Sequence, residues 1–246
     1  MSKAPSRALR MFRYAMYFDG RSSYVAVSHS DSLMPPQMSS EAWFCPRDYS
    51  TVHARILEKG GCGIGGGYGL EFNPQGLQAQ RFVIWRGTTF HAIDSQTRIS
   101  SGVWWHVVGT FDGSTAKLYI NRILEGSRSA DMSSNTAILA IGRAAYGAAN
   151  FLPGYINAVR IYSRALTAGE IAWNYSYPNN PIKDGLVLWL HAHPDNIKDI
   201  DGDGVLEWVD LSGFNNHGKI YGATLVEVIK APSHVLAPSR ILPPAR

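Results

Sequence analysis

Two cysteines in 246 residues are too few for a disulfide framework. Cys45 closes a strand-like stretch and Cys62 stands among glycines, so one bridge or two thiols are the alternatives. No stretch approaches the roughly 18–20 apolar residues of a membrane-spanning helix. Residues 1–13 carry charge with no apolar run behind it, so no secretory signal is read, and the chain is expected to be made in the cytoplasm. An organelle transit peptide is the alternative for this acid-free arm. Long helical periodicity is missing as well. With 24 glycines and 13 prolines, that points to a turn-rich, all-β chain. Acid is absent ahead of Asp19, where Lys3, Arg7, Arg10 and Arg13 account for the whole net charge of +4. The remaining charges balance, which speaks against a broad nucleic-acid face on the folded part.

Catalytic patterns are lacking too. There is no Gly-x-Ser-x-Gly elbow. His191 and His193 would share one face of a strand, but no third ligand follows at metal spacing. The glycine-rich run 60–67 is followed by neither Lys-Ser nor Lys-Thr, so it is no phosphate cradle; it reads as a flexible or closely packed loop ending at Tyr68.

What is present is strand pattern. Residues 103–111 and 116–121 read as two strands. Leu118 and Ile120 alternate with Lys117, Tyr119 and Asn121, and a tight turn at Asp112-Gly113 joins the pair. Trp43 and one of the adjacent Trp104 and Trp105 are assigned to the core, because neighbouring strand residues face opposite sides. Thr167 followed by Glu170 ahead of Ile171 is a capping box, predicting one short helix to about Tyr175. Pro178 and Pro181, with Asn179 and Asn180, mark a linker. The division expected is a basic arm (1–13), a β-sandwich (14–175), a linker (176–184), a C-terminal β segment (185–229) and a Pro-rich tail (230–246).

Five separated segments then carry a resemblance. Residues 14–27 contain Phe18-Asp19-Gly20. They are followed in order by residues 41–44, 56–60, 103–121 and 154–171. In this order the segments resemble the laminin G-like, concanavalin A-like lectin family over roughly residues 14–175. The resemblance implies an antiparallel jelly-roll sandwich that is non-catalytic and binds glycan or a cell-surface partner, often with calcium. The paired acids of concanavalin-like glycoside hydrolases, Glu-x-Asp-x-Glu, are absent, which leaves a glycan-active enzyme as the weaker alternative. Gly185 to Leu190 and Asp210 to Ala223 resemble the start of such a module, displaced here to the C-terminus. They complete their own sandwich as a permutation, pair with a neighbouring subunit's sandwich, or begin a second module. A basic arm, a Pro-rich tail and no export signal also fit a self-associating structural subunit of a virion, sheath or filament.

Two candidate calcium sites stand out. Asp199, Asp201 and Asp203, then Gly204, Val205 through its carbonyl, and Asp210 follow the spacing of an EF-hand or dockerin loop, whose alternate residues point oxygens inward. The plain alternative is an acidic turn. A weaker second site, implied by the resemblance, pairs Asp19 with Asn157, where an acid is usual; a turn formed by Asp19 with Gly20 is the preferred reading there. Tyr68, Trp85, His91, Tyr146 and Phe151 are the candidate sugar-stacking side chains.

Overall fold

The computed structural model describes residues 12–61 and 63–228. Cys62, most of the basic arm and the Pro-rich tail lie outside the described residues. Among those described, the strands run in chain order: β1 (Tyr14–Asp19), β2 (Tyr24–Val27), β3 (Met38–Pro46), β4 (Ala54–Gly61), β5 (Gly66–Phe72), β6 (Gln80–Arg86), β7 (Thr89–Asp94), β8 (Trp105–Phe111), β9 (Thr115–Ile120), β10 (Ile123–Ser129), β11 (Leu139–Ile141), β12 (Pro153–Tyr162), β13 (Leu186–His191), β14 (Ile197–Lys198), β15 (Glu207–Trp208), β16 (Gly218–Tyr221) and β17 (Thr224–Glu227), with helix α1 (Ala168–Ser176) between β12 and β13.

They form two antiparallel sheets. The back sheet has the order β10-β9-β8-β3-β12-β1-β17, with β13 added beside β12; the front sheet is β14-β15-β16-β2-β11-β4-β5-β6-β7. The long strand β12 explains the branch. Its first half pairs with β1 (Met16 opposite Ile156) and its second half with β13 (Val159 opposite Leu190). The two-residue alternation turns Met16, Phe18, Ala42, Phe44, Leu70, Phe72, Phe82, Ile84, Val107 and Ile156 into one core between the sheets. A side chain of this size contributes about 1.5–3 kcal/mol when fully buried.

The C-terminal strands pair inside the chain. β13 lies on β12, β16 on β2 and β17 on β1, where Tyr14 stands opposite Glu227. Val187, Leu188, Leu190, Trp208 and Leu225 enter the intersheet core.

Trp43 and Trp104 are buried together, but on the outer side of the back sheet with Phe12, Cys45 and Tyr155; Trp105 is half-buried against the intersheet core. Cys45 there is a free, buried thiol.

The β8–β9 turn sits one residue later than its sequence indicates. Asp112 donates its N–H to Thr115 O (3.2 Å), so the turn residues are Gly113, at φ +96°, and Ser114. The Asp112 carboxylate accepts from the N–H groups of both Ser114 and Thr115. Helix α1 starts with the expected capping box: Thr167 Oγ1 accepts from Glu170 N, and Glu170 accepts from Thr167 N (2.8 Å).

Beneath α1 the back sheet buries charge. Glu41, His106, Arg160 and Asn174 are all at most 1% exposed. Glu41 accepts from His106 Nε2 (2.9 Å), from Asn174 Nδ2 (2.7 Å) and from Arg160 Nη1. Burial alone would raise the Glu41 carboxyl. The Arg160 charge and the His106 and Asn174 bonds overcome it and hold the group at about 2.

Candidate functional site

The outer face of the front sheet carries the site. Strand register places Arg55 opposite Glu71, Glu71 opposite Arg81, and Arg81 opposite Asp94, making a charged row across four strands. Two residues further along β6, Val83 faces Gly69; two further still, Trp85 lies between Gly67 and Phe90. Trp85 and Phe90 are a cross-strand pair because Gly87, at φ +58°, lets β6 turn back into β7 within a few residues. The absent side chain of Gly69 makes room for the indole: a Cβ there would lie 3.2 Å from the Trp85 ring.

The segment between β11 and β12 folds over this face and supplies the opposite wall. Arg55 N donates to Asn150 O (2.9 Å), Ala145 N to Glu58 Oε1 (3.0 Å) and Tyr146 OH to Asn150 Oδ1 (3.1 Å). The result is a groove of about 400 Å³ walled by Trp85, Phe90 and Tyr146, with His53, Arg55, Glu71 and Arg81 among its polar lining. Phe90 is 55% exposed and Tyr146 43%, whereas Trp85 is 3% exposed, held down by its neighbours.

The groove's charges are paired with one another. Arg81 grips Asp94 with two bonds (2.6 and 2.9 Å). Arg55 Nη1 reaches Glu71 Oε2 (3.1 Å), its Nε donates to Glu58, and His53 Nδ1 lies 3.0 Å from Glu71. Burial pushes the Glu58 carboxyl up, with Arg55 and the Ala145 N–H acting against it. Such a lining offers fixed donors and acceptors to hydroxyl groups beside aromatic faces.

Of the side chains named from sequence, Trp85 and Tyr146 meet in this groove. Tyr68 does not: its alternation turns it inward, its ring is fully buried, and its hydroxyl donates to Leu33 O (2.8 Å). His91 stands opposite Ile84 on the inward-facing row and bonds Asp131 (2.7 Å), away from the groove. Phe151 is half-buried and does not line the groove. The glycine run belongs to the β4–β5 hairpin: Gly60 and Gly61 pair with Gly67 and Gly66, and residues 63–65 form a turn between the strands. Phe90, His53, Arg55, Glu71 and Arg81 went unnamed. Only Phe90 had a local signal, its symmetry with Trp85 about the Gly87 turn.

The metal candidates divide similarly. Carboxylate oxygens of Asp199, Asp201 and Asp203 lie within 4.8 Å of one another at the surface. Asp210 is not with them. It turns inward and accepts from Trp189 N (2.8 Å), Ser212 N (2.9 Å) and Asn216 N (3.0 Å), bracing the turn after β15. Val205 donates its N–H to Asp203 (2.8 Å). Lys219 sets its ammonium on Asp201 (2.9 Å) and on Asp203, which draws the Asp203 carboxyl down and the Lys219 amine up. Three aspartates therefore suit a hard cation, the twelfth ligand does not close the loop, and a lysine holds two of the three. Asp19 and Asn157 do not meet. Asp19 pairs with Pro153, four residues back along β12 from Asn157, and so roughly 13 Å away. Its carboxylate, drawn well below the usual range, accepts the N–H groups of Arg21, Ser22 and Ser23, while Asn157 Nδ2 donates to Tyr14 O.

Two antiparallel sheets around one core, with an aromatic groove on a sheet face, define a lectin-like sandwich. The sequence profile of the concanavalin A-like lectin/glucanases superfamily matches residues 19–172, and the chain belongs to that superfamily. No curated protein sequence matches it. Solved structures share the architecture. A proposed carbohydrate-binding protein from Bacteroides ovatus superposes with a TM-score of 0.68 at 18% identity, over 89% of this chain and 61% of its own. The CBM40 of a Ruminococcus gnavus sialidase gives 0.52 at 13% identity, over 64% of this chain and 95% of its own. Domains LG4-5 of the mouse laminin α1 chain give 0.50 at 12% identity, over 69% and 46%. This chain thus spans about three fifths of the Bacteroides protein. At such identities the likeness establishes the fold.

Proposed function

We propose that the protein is a non-catalytic glycan-binding module and that the sugar lies in the groove of the front sheet. The observation that carries this reading is the meeting of Trp85, Phe90 and Tyr146 around a lining of paired polar groups. Sugar rings present flat C–H faces and a rim of hydroxyls. Aromatic walls take the first, and fixed donors and acceptors take the second. Screening the chain on a glycan array should identify a bound class. Phe90→Ala and Tyr146→Ala, both at exposed side chains, should each weaken binding by about ten-fold, or roughly 1–2 kcal/mol, without lowering the melting temperature. An empty array, or a double variant that binds as the wild type does, would sink the reading.

We infer further that the acidic loop takes calcium in competition with Lys219. Calcium supplies positive charge that ties Asp199, Asp201 and Asp203 together, which is the role the ammonium now fills for two of them. In calorimetry, Lys219→Met should tighten calcium binding at least about ten-fold, since the metal no longer displaces a paired cation, and Asp199→Asn should remove it. Equal affinity in the wild type and Lys219→Met would show that the lysine does not compete.

A further inference from the structure

A second feature of the front sheet's outer face lies outside the groove. Tyr24 of β2 and Tyr221 of β16 are register partners, and their rings stack at 4.7 Å and 16°. The guanidinium of Arg143 lies 4.0 Å over the Tyr24 ring. Arginines elsewhere on this face are neutralised: Arg55 by Glu58 and Glu71, Arg81 by Asp94. The neighbouring Lys219 is likewise paired with Asp201 and Asp203. Arg143 has no carboxylate and no hydrogen-bond acceptor among the described residues, and its Nε is buried without one.

The position is fixed, not splayed into solvent. The segment that begins at Arg143 is tied down at both ends. Gly142 N donates to Ile56 O (3.0 Å), Leu152 N to Gly142 O (2.9 Å) and Ala144 N to Ala149 O (3.0 Å). Stacking on an aromatic face orients a guanidinium and, with Nε buried, leaves its two Nη groups for a planar, two-oxygen acceptor. Tyr146, which walls the groove, is three residues further along the same segment, so its Cα lies within about 11 Å of that of Arg143.

We propose that Arg143, held on the Tyr24–Tyr221 stack, is an anion subsite that takes the acidic group of a glycan, a carboxylate or a sulfate ester, whose neighbouring ring occupies the groove beyond Tyr146. The identity of the larger ligand rests on the glycan reading above. The anion subsite itself does not, and the two are tested separately.

The experiment uses the full chain, Arg143→Gln and Phe90→Ala. The probes are oligogalacturonate, the same oligomer with its carboxyls reduced, free glucuronate and inorganic sulfate. Oligomer binding is read by calorimetry. The small anions are followed through the side-chain Nε–H resonance of Arg143, assigned by its loss in the variant. The acidic oligomer should bind about ten-fold or more tightly than the reduced one. Arg143→Gln should abolish that preference while leaving the reduced oligomer's affinity unchanged, and Phe90→Ala should weaken both. A resonance moved by sulfate but not by glucuronate assigns the subsite to sulfate esters, and the converse to carboxylates. Movement by either free anion with no oligomer bound supports the subsite and removes the glycan reading. An acid preference that survives Arg143→Gln, or a resonance that no anion moves, overturns the subsite; if Phe90→Ala still weakens the reduced oligomer, the groove stands without it.

Discussion

A chain ending at Ser176 should show no cooperative unfolding transition. The truncation removes Val187, Leu188, Leu190, Ile197, Trp208 and Leu225 from the intersheet core. At about 1.5–3 kcal/mol each, six such side chains amount to on the order of 10 kcal/mol, comparable to the whole stability of a domain. It also strips β13 from β12, β16 from β2 and β17 from β1, leaving three rows of unpaired backbone groups open to aggregation. Circular dichroism melting and light scattering of the truncated chain would test this. Adding residues 177–228 as a separate chain should recover a transition. A cooperative melt of the short chain alone would mean that the first 176 residues hold a sufficient core.

The second large effect lies under α1. Glu41→Gln should destabilise the fold by about 3–5 kcal/mol and lower its melting temperature by about 10 °C, because Arg160 and His106 would lose their shared carboxylate inside the protein. The pH dependence has a definite sign. Glu41 is held at about 2, below its ordinary 4.5, so the unfolded chain binds this proton more tightly. Its contribution, on the order of 3 kcal/mol, is complete above pH 4.5 and is lost as pH falls through about 2. Denaturation at pH 6 and at pH 2 should show the gap between wild type and Glu41→Gln narrowing on acidification. A constant gap would mean that the carboxylate's charge is not what the site uses.

How much of this was written locally? Strand pattern identifies β8 and β9, and the Thr167–Glu170 box identifies α1, because each is a property of neighbouring residues; β12 is reached only through the family resemblance. The superfamily follows from the order of such segments. Partnership is another matter. Arg55, Glu71 and Arg81 form one row only because β4, β5 and β6 align in a particular register, and single-strand patterns do not contain that register. Tyr68 was misread because glycines on both sides mimic a loop, whereas the residues are paired strand and the ring points inward. Asp210 fits the calcium spacing, but its carboxylate is drawn to the backbone of β13 and of its own turn.

The pairing of β17 with β1 has a consequence for topology. Val228 N donates to Arg13 O (2.7 Å), and Arg13 Nε meets Glu227 (2.8 Å), so positions 13 and 228 of the described chain are neighbours. Taken as a path, the backbone is nearly a closed ring, and where that ring is cut is separable from how it folds. A permutant that joins residue 228 to residue 12 through a short glycine linker and opens at the surface turn around Asn179 and Asn180 breaks no sheet pairing. Its melting temperature should stay within a few degrees of the parent's, although the order in which its strands leave the ribosome is rearranged.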